Sequence, residues 1–361
     1  MEKNFLVSSE LTKVKTDKKN ISKKNIKGII FARALCCLGI VFFHYFSKNN
    51  GNFKLVRKTA NSTFGFIFVT SFFCISGTVL YYNYPKIISL KTFYFKRWKS
   101  IFPPFYIYYL FHLKEILPLK KNYIKNNWPN FFFTLIGMDQ YLSYKFKTIG
   151  LIGEWFLGAI IIIYILYPIL LYLMNINILI INFIVFAGFI IMHKTNFFKI
   201  HRDMNIITCI NSFYFGMLVI KFPKLFFKNK IAPTISSMIF LFLYFYKVPF
   251  SMIINQIQGF SLYIILVYFG EYVMLSRFKG IFMLINNLSY NIFLIHHNII
   301  RYIFGIYNPI KWYLHLILLG ITFILTIIFS KLLQIIVNSI IQSHIFKNIE
   351  SYFLNPYNLI L

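Results

Sequence analysis

The sequence predicts an all-α integral membrane protein, a bundle of about ten transmembrane helices. Hydrophobic residues make up 58% of the chain and charged residues 13%, with a mean hydropathy of +0.65. Soluble domains hold roughly 45–50% and 25% of these residues. Apolar runs close to the ~20 residues that a helix needs to cross a bilayer recur along the chain. Both observations favour a protein with the lipid bilayer as its partner.

Each predicted span is an apolar run bounded by polar residues. The ten runs are 28–46, 62–82, 100–118, 152–172, 177–193, 205–220, 232–248, 255–275, 282–303 and 312–338. The stretch 131–138, FFFTLIGM, is too short to cross and is predicted to be interfacial or re-entrant. Residues 28–338 are therefore predicted to form one membrane domain, between a basic tail, 1–27, and a short C-terminal tail, 339–361.

The N-terminal tail sets the predicted orientation. It contains eight lysines and no apolar core, so it does not resemble a cleavable signal peptide. Lys and Arg accumulate on the cytoplasmic side of membrane proteins. A cytoplasmic N-terminus also places the basic loops 83–100 and 221–230 inside, although the overall excess of inner basic residues comes from the tail. We expect a multi-pass protein of the inner or plasma membrane.

Net charge and cysteine usage exclude other classes. The formal net charge is +29, but the basic residues are scattered between apolar runs and form no continuous groove for nucleic acid. The four cysteines, Cys36, Cys37, Cys74 and Cys209, do not have the spacing of a metal site or a disulfide framework.

The first span contains Arg33 and His44, eleven residues apart. At ~100° per residue the two positions fall within about 20° of each other on a helix, roughly 16 Å apart along its axis. Ionisable residues inside a membrane usually face a bundle interior or a wet cavity and indicate a functional site. The alternative is that Arg33 snorkels to the headgroups while His44 ends the span at the opposite interface.

Five segments occur in an order and spacing that resemble the acyltransferase 3 family of integral-membrane O-acyltransferases, carbohydrate O-acetyltransferases among them. The resemblance runs from about residue 28 to 338. The segments are the Arg-x10-His of the first span, FFCISGTVLYY in the second, KRWKSIFPPFYIYY at the third, GEWFLGAIIIIYILYPIL in the fourth and LSYNIFLIHHNII in the ninth. The resemblance implies an enzyme that transfers an acyl group, usually acetyl, from acyl-CoA to a carbohydrate hydroxyl, often of a cell-surface or lipid-linked glycan.

Acyl transfer to an alcohol requires a base, and an imidazole that titrates near neutrality suits this role. His44 is the candidate base, or alternatively a transient acyl carrier. Arg33, nearer the cytoplasm in the predicted orientation, is a candidate for binding coenzyme A.

Lys96, Arg97 and Lys99 are candidates for binding the phosphates of CoA, since Arg presents a bidentate fork to phosphate. A basic flank before a span also follows from the positive-inside rule alone. The family usually carries two arginines three residues apart here, whereas this chain has Arg97 and Ser100. Lys99 is the candidate for replacing the missing cation.

Glu154 and His296 complete the predicted catalytic residues. Glu154 begins the fourth span, where it either stabilises the helix N-terminus or holds the imidazolium of His44 as a triad acid does. His296 matches the family's Tyr-Leu-x-His ending. Because adjacent helical residues diverge by ~100°, at most one of His296 and His297 is expected on the site face. No His or carboxylate at i+3 or i+4 completes a ligand set, so no metal is expected.

Two other functions remain open from the residues alone. A transporter or flippase for a lipid-linked sugar would also bury polar residues, but the chain lacks the paired halves with matching Gly or Pro breaks of many transporters. A glycan polymerase would be expected to carry arginines in a long outer loop, and loop 119–151 has none.

Overall fold

The computed structural model describes residues 27–48, 58–148, 155–195, 200–227, 229–249, 251–307 and 311–354. Within these ranges the chain is helical and contains no β-strand. The helices are α1 (Lys27–Lys48), α2 (Phe64–Asn83), α3 (Leu90–Asn126), α4 (Phe131–Leu135), α5 (Asp139–Leu142), α6 (Trp155–Ile176), α7 (Ile178–Thr195), α8 (Ile206–Lys221), α9 (Pro223–Phe227), α10 (Ile231–Phe245), α11 (Ser251–Val273), α12 (Lys279–Ile306), α13 (Trp312–Gln342) and α14 (His344–Leu354). The all-α prediction is confirmed for this part of the chain.

Six helices are long and apolar enough to cross a membrane: α1, α2, α6, α7, α11 and α13. Each of the ten predicted spans coincides with a helix, but α8 and α10 are shorter, and α3 and α12 carry more polar residues. The multi-pass membrane character therefore stands, whereas ten spans stays a prediction. The stretch 131–138 contains the short helix α4 and ends at Met138, which directly precedes the short helix α5. Most of the N-terminal tail, residues 1–26, lies outside the described residues.

The chain divides into two compact units. The first comprises Met1–Ile40, Phe53–Tyr82 and Ser212–Asn287, and the second comprises Val41–Asn52, Asn83–Asn211 and Leu288–Leu361. Helices α1, α8 and α12 contribute residues to both units, and the last residue of α2, Asn83, belongs to the second.

In the first unit, helices α2 and α8 approach closely through two glycines. A Cβ on Gly77 would collide with the carbonyl oxygen of Phe213, and one on Gly216 with that of Cys74. Thr78 Oγ1 donates to the Gly216 carbonyl oxygen at 2.8 Å. Small residues and such hydrogen bonds hold helices together where the hydrophobic effect between them is absent. Gly77 and Gly216 therefore permit the close approach of α2 and α8.

The core of the first unit is formed by apolar side chains from α1, α2 and α11. Phe31, Ala32 and Cys36 from α1 pack with Ile75 from α2 and Val267 from α11. All four cysteines are buried free thiols.

In the second unit, the C-terminal helix α14 packs against the start of α3. Trp98 stacks on Phe346 with ring centroids 6.3 Å apart, and Phe95 stacks on Phe353 at 5.6 Å. Lys99 Nζ lies 2.6 Å from Glu350 Oε2. This helix lies within the segment predicted to be a short C-terminal tail, and the ion pair attaches it to the basic cluster of α3.

Candidate active site

His44 lies near the end of α1, in a part of that helix that belongs to the second unit. Its ring centroid is 4.2 Å from that of His297 and 5.2 Å from that of His296. The two α12 histidines lie 4.3 Å apart. The ligand nitrogens of all three rings fall within 4.8 Å of one another. We call these three residues the histidine cluster.

His296 is the most constrained member of the histidine cluster. Its side chain is fully buried, and its Nδ1 lies 3.0 Å from the carbonyl oxygen of Ile292 and 2.9 Å from that of Phe293. Carbonyl oxygens only accept hydrogen bonds, so Nδ1 carries the proton and donates it. In the neutral ring, Nε2 then holds the lone pair.

The structure differs from one sequence expectation here and bears on a second. His297 was expected to point away from the site face, yet it is the nearer of the two histidines to His44. The ~100° between neighbouring helical positions separates their Cα–Cβ directions, but imidazole rings extend far enough to meet a third ring lying between them. No metal was expected because α12 alone lacks a ligand set; the third imidazole comes from α1, and the absence of a metal stays a prediction.

A further histidine that sequence reasoning missed lies beside the cluster. His315 on α13 is 1% exposed, and its Nδ1 is 3.4 Å from the hydroxyl of Tyr45. Tyr45, the neighbour of His44, is itself fully buried and packs on Phe304. The sequence signal was present, since a histidine inside an apolar span indicates a specific polar partner.

Arg97 lies on the second turn of α3 and is held between two tyrosines. Its guanidinium carbon is 5.1 Å from the ring centroid of Tyr84 and 5.7 Å from that of Tyr164. One terminal nitrogen donates to the Tyr84 hydroxyl at 3.3 Å. The buried Nε has no hydrogen-bond partner among the residues that the structure describes. Arg97 therefore has a donor available for an anionic ligand.

The other two members of the basic cluster do not converge on Arg97. Lys96 is exposed, and Lys99 is engaged by Glu350 and lies 5.4 Å over the Phe346 ring. Ser100 Oγ donates back to the Arg97 carbonyl oxygen at 2.8 Å. Residues 96, 97 and 99 point in different directions because ~100° separates successive helical positions. Lys99 is paired with Glu350, and its role as the replacement for the family's second arginine stays a prediction.

Two of the predicted site residues, Arg33 and Glu154, are not part of the histidine cluster. Arg33 is part-buried on α1, in the first unit, and its partnership with His44 stays a prediction. Glu154 lies outside the described residues, which resume at Trp155, the first residue of α6.

The sequence that carries these residues matches a known protein family. Residues 26–333 match the family model described as an acyltransferase domain, that of acyltransferase 3. The chain therefore belongs to the acyltransferase 3 family. Comparisons with curated proteins and with solved structures each gave no match. Family membership and six apolar helices together define a membrane-embedded acyltransferase.

Proposed function

We propose that this protein is an acyl-CoA-dependent O-acyltransferase that moves an acyl group, acetyl being the foremost candidate, to a hydroxyl of a cell-surface or lipid-linked carbohydrate. The observation that carries the proposal is the histidine cluster within an acyltransferase membrane domain. Membership of this family does not favour a transporter, a flippase or a glycan polymerase.

In the proposed reaction, His44 acts as the general base. Its imidazole accepts the proton of the acceptor hydroxyl as the hydroxyl oxygen forms a bond to the carbonyl carbon of the thioester. The carbon–sulfur bond then breaks, and the leaving thiolate takes the proton from His44. A base positioned in this way contributes typically 10²–10⁴-fold to the rate.

His296 is proposed to stabilise His44 in its charged form. The Nδ1 proton of His296 is directed at the Ile292 and Phe293 carbonyls, so its Nε2 is the nitrogen that can accept a hydrogen bond. An acceptor beside an imidazolium plays the part that a carboxylate plays in a catalytic triad. Glu154 remains a second candidate for this part.

Arg97 is proposed to hold the phosphates of CoA. Its buried Nε and the two tyrosine rings that fix its guanidinium support this role. A guanidinium already held by two rings and a hydroxyl loses little further conformational freedom when a phosphate arrives. Lys96, exposed beside it, adds charge that attracts the polyanion. Lys99 contributes only when Glu350 releases it.

The orientation proposed from the basic residues puts Arg97 on the cytoplasmic side and the histidine cluster in the outer half of the membrane domain. Acyl-CoA is cytoplasmic, which agrees with a phosphate site at the start of α3. Arg33, on the inner half of α1 in the same proposed orientation, is proposed to bind the CoA arm.

Two measurements test the function. Purified protein in lipid vesicles should transfer label from [¹⁴C]acetyl-CoA to an extract of the cell's lipid-linked glycans. Mass spectrometry of surface glycans from deletion cells should show the loss of an acyl increment, 42 mass units for acetyl by atomic composition, restored by the wild-type gene. Unchanged glycans together with no transfer from any acyl-CoA would contradict the proposal.

A further inference from the structure

We propose that the histidine cluster also binds a divalent first-row transition metal, with Zn²⁺ the best match to its ligands, and that the bound metal blocks acyl transfer. The proposal that the cluster binds a metal is argued from its geometry alone. The proposal that the metal blocks acyl transfer rests on the proposed function of His44 as the base.

The cluster has the donor set of a three-histidine metal site. Its imidazoles offer nitrogens within 4.8 Å of one another and come from two helices, α1 and α12. Imidazole nitrogen suits Zn²⁺, Cu²⁺ and Ni²⁺. Three histidines leave a fourth tetrahedral position for water or hydroxide, and hydroxide would offset part of the charge of the ion.

His296 already shows the outer contact that metal-binding histidines have. A ligating histidine almost always donates its second ring N–H to a carbonyl, carboxylate or water, and this fixes the tautomer and the ring orientation. In His296, Nδ1 donates to the Ile292 and Phe293 carbonyl oxygens at 3.0 and 2.9 Å. Nε2 therefore holds the lone pair that a metal requires.

The remaining adjustment is small. Zn–N bonds of ~2.0–2.1 Å in a tetrahedron set neighbouring nitrogens about 3.3 Å apart. The nitrogens of the cluster must therefore close by no more than about 1.5 Å from their 4.8 Å limit. His44 and His297 are only part-buried, so rotation of their side chains can supply this movement while His296 stays in place.

Metal binding and proton transfer exclude each other at His44. A nitrogen whose lone pair is coordinated to Zn²⁺ cannot accept the proton of a hydroxyl. Occupancy of the cluster should therefore inhibit transfer reversibly, and a chelator should restore it.

The binding test uses the full chain, purified with a histidine-free tag and stripped with EDTA. Titration with Zn²⁺ followed by calorimetry, and with Co²⁺ followed by visible absorption, should show one equivalent bound, without the sulfur charge-transfer band of cysteine ligands. His297→Ala, or His297→Asn if the first variant folds poorly, should weaken binding at least about tenfold. His344→Ala on the exposed α14 is the matched control and should bind as wild type does. Wild-type binding no tighter than that of His297→Ala would overturn the site.

The second arm measures acyl transfer against free Zn²⁺. The inhibition constant of the wild type should equal its binding constant, and EDTA should reverse the effect. Stimulation by Zn²⁺, or full activity with the metal bound, would contradict the proposal that the metal blocks acyl transfer. Failure of the proposed function is distinguishable: if metal-free His44→Gln turns over normally, the base assignment is wrong, while stoichiometric Zn²⁺ binding to the wild type leaves the metal site intact.

Discussion

The ring centroids of His44 and His297 lie 4.2 Å apart, the shortest separation within the histidine cluster. Two helices far apart in the sequence, α1 and α12, thus bring three imidazoles together. In this acyltransferase the cluster provides a candidate base, His44, and two further imidazoles that can accept or donate protons. The predictions below test which of them the chemistry needs.

His44→Gln should lower acyl transfer by roughly 10²–10⁴-fold, because an amide can hydrogen-bond but cannot act as a base at neutral pH. Activity is measured in vesicles after normalising for membrane abundance. Phe43→Tyr is the control, since Phe43 is part-buried and its ring contacts His44 from the same helix. Near-normal turnover of His44→Gln would remove His44 from the mechanism.

Arg33→Lys should not preserve activity, although it keeps the charge. A lysine ammonium lacks the planar fork with which arginine binds phosphate and carboxylate groups. We expect at least about a tenfold loss in kcat/KM for acyl-CoA with normal insertion in the membrane, measured by steady-state kinetics. Wild-type kinetics in Arg33→Lys would support the snorkelling interpretation of this residue.

Arg97→Ala should raise the KM for acyl-CoA and leave the KM for the acceptor unchanged. A hydrogen bond to a charged group contributes about 1.5–3 kcal/mol, which corresponds to roughly 10–100-fold in affinity. Lys96→Ala, which removes an exposed cation from the preceding position, should change the same KM by less than about threefold. Equal effects of the two variants would mean that the basic residues at 96, 97 and 99 only attract acyl-CoA by their general positive charge.

The attachment of α14 should depend on apolar packing more than on its ion pair. Lys99 and Glu350 are 26% and 27% exposed, and pairs screened by solvent contribute up to about 1 kcal/mol. Phe346 is 9% exposed against Trp98, and truncation of a buried Phe costs about 3–5 kcal/mol. Thermal unfolding in detergent should therefore show a much larger decrease in melting temperature for Phe346→Ala than for Glu350→Gln. The opposite order would make the ion pair the main attachment.

Gly77→Ala should destabilise the first unit, because the new methyl group would meet the backbone carbonyl of Phe213, which cannot move aside alone. Separating two packed helices costs typically 1–3 kcal/mol or more. Gly320→Ala on α13 is the matched control, since no atom lies within 4 Å of the added Cβ. Size-exclusion profiles and melting in detergent should separate the two variants. Equal melting temperatures of the two variants would mean that α2 and α8 can move apart without loss of stability.

Composition and periodicity were enough to predict ten of the fourteen helices that the structure describes. Ten apolar runs coincide with helices in the structure because a segment in lipid must satisfy its own backbone hydrogen bonds, and the α-helix does this locally. Length and hydropathy are likewise local properties, and they support six of these helices as spans. How many of the others cross the bilayer depends on their surroundings, which a local pattern does not contain.

Local motifs also identified the family and selected His44 and His296 as candidates, since ionisable residues within apolar spans stand out in any sequence. Only the tertiary structure brought His297 to His44, paired Lys99 with Glu350 and set Arg97 between Tyr84 and Tyr164. These contacts join residues far apart in the chain, and their geometry follows from helix packing. Helical periodicity determines which residues share a face, whereas the packing of one helix on another decides which faces meet.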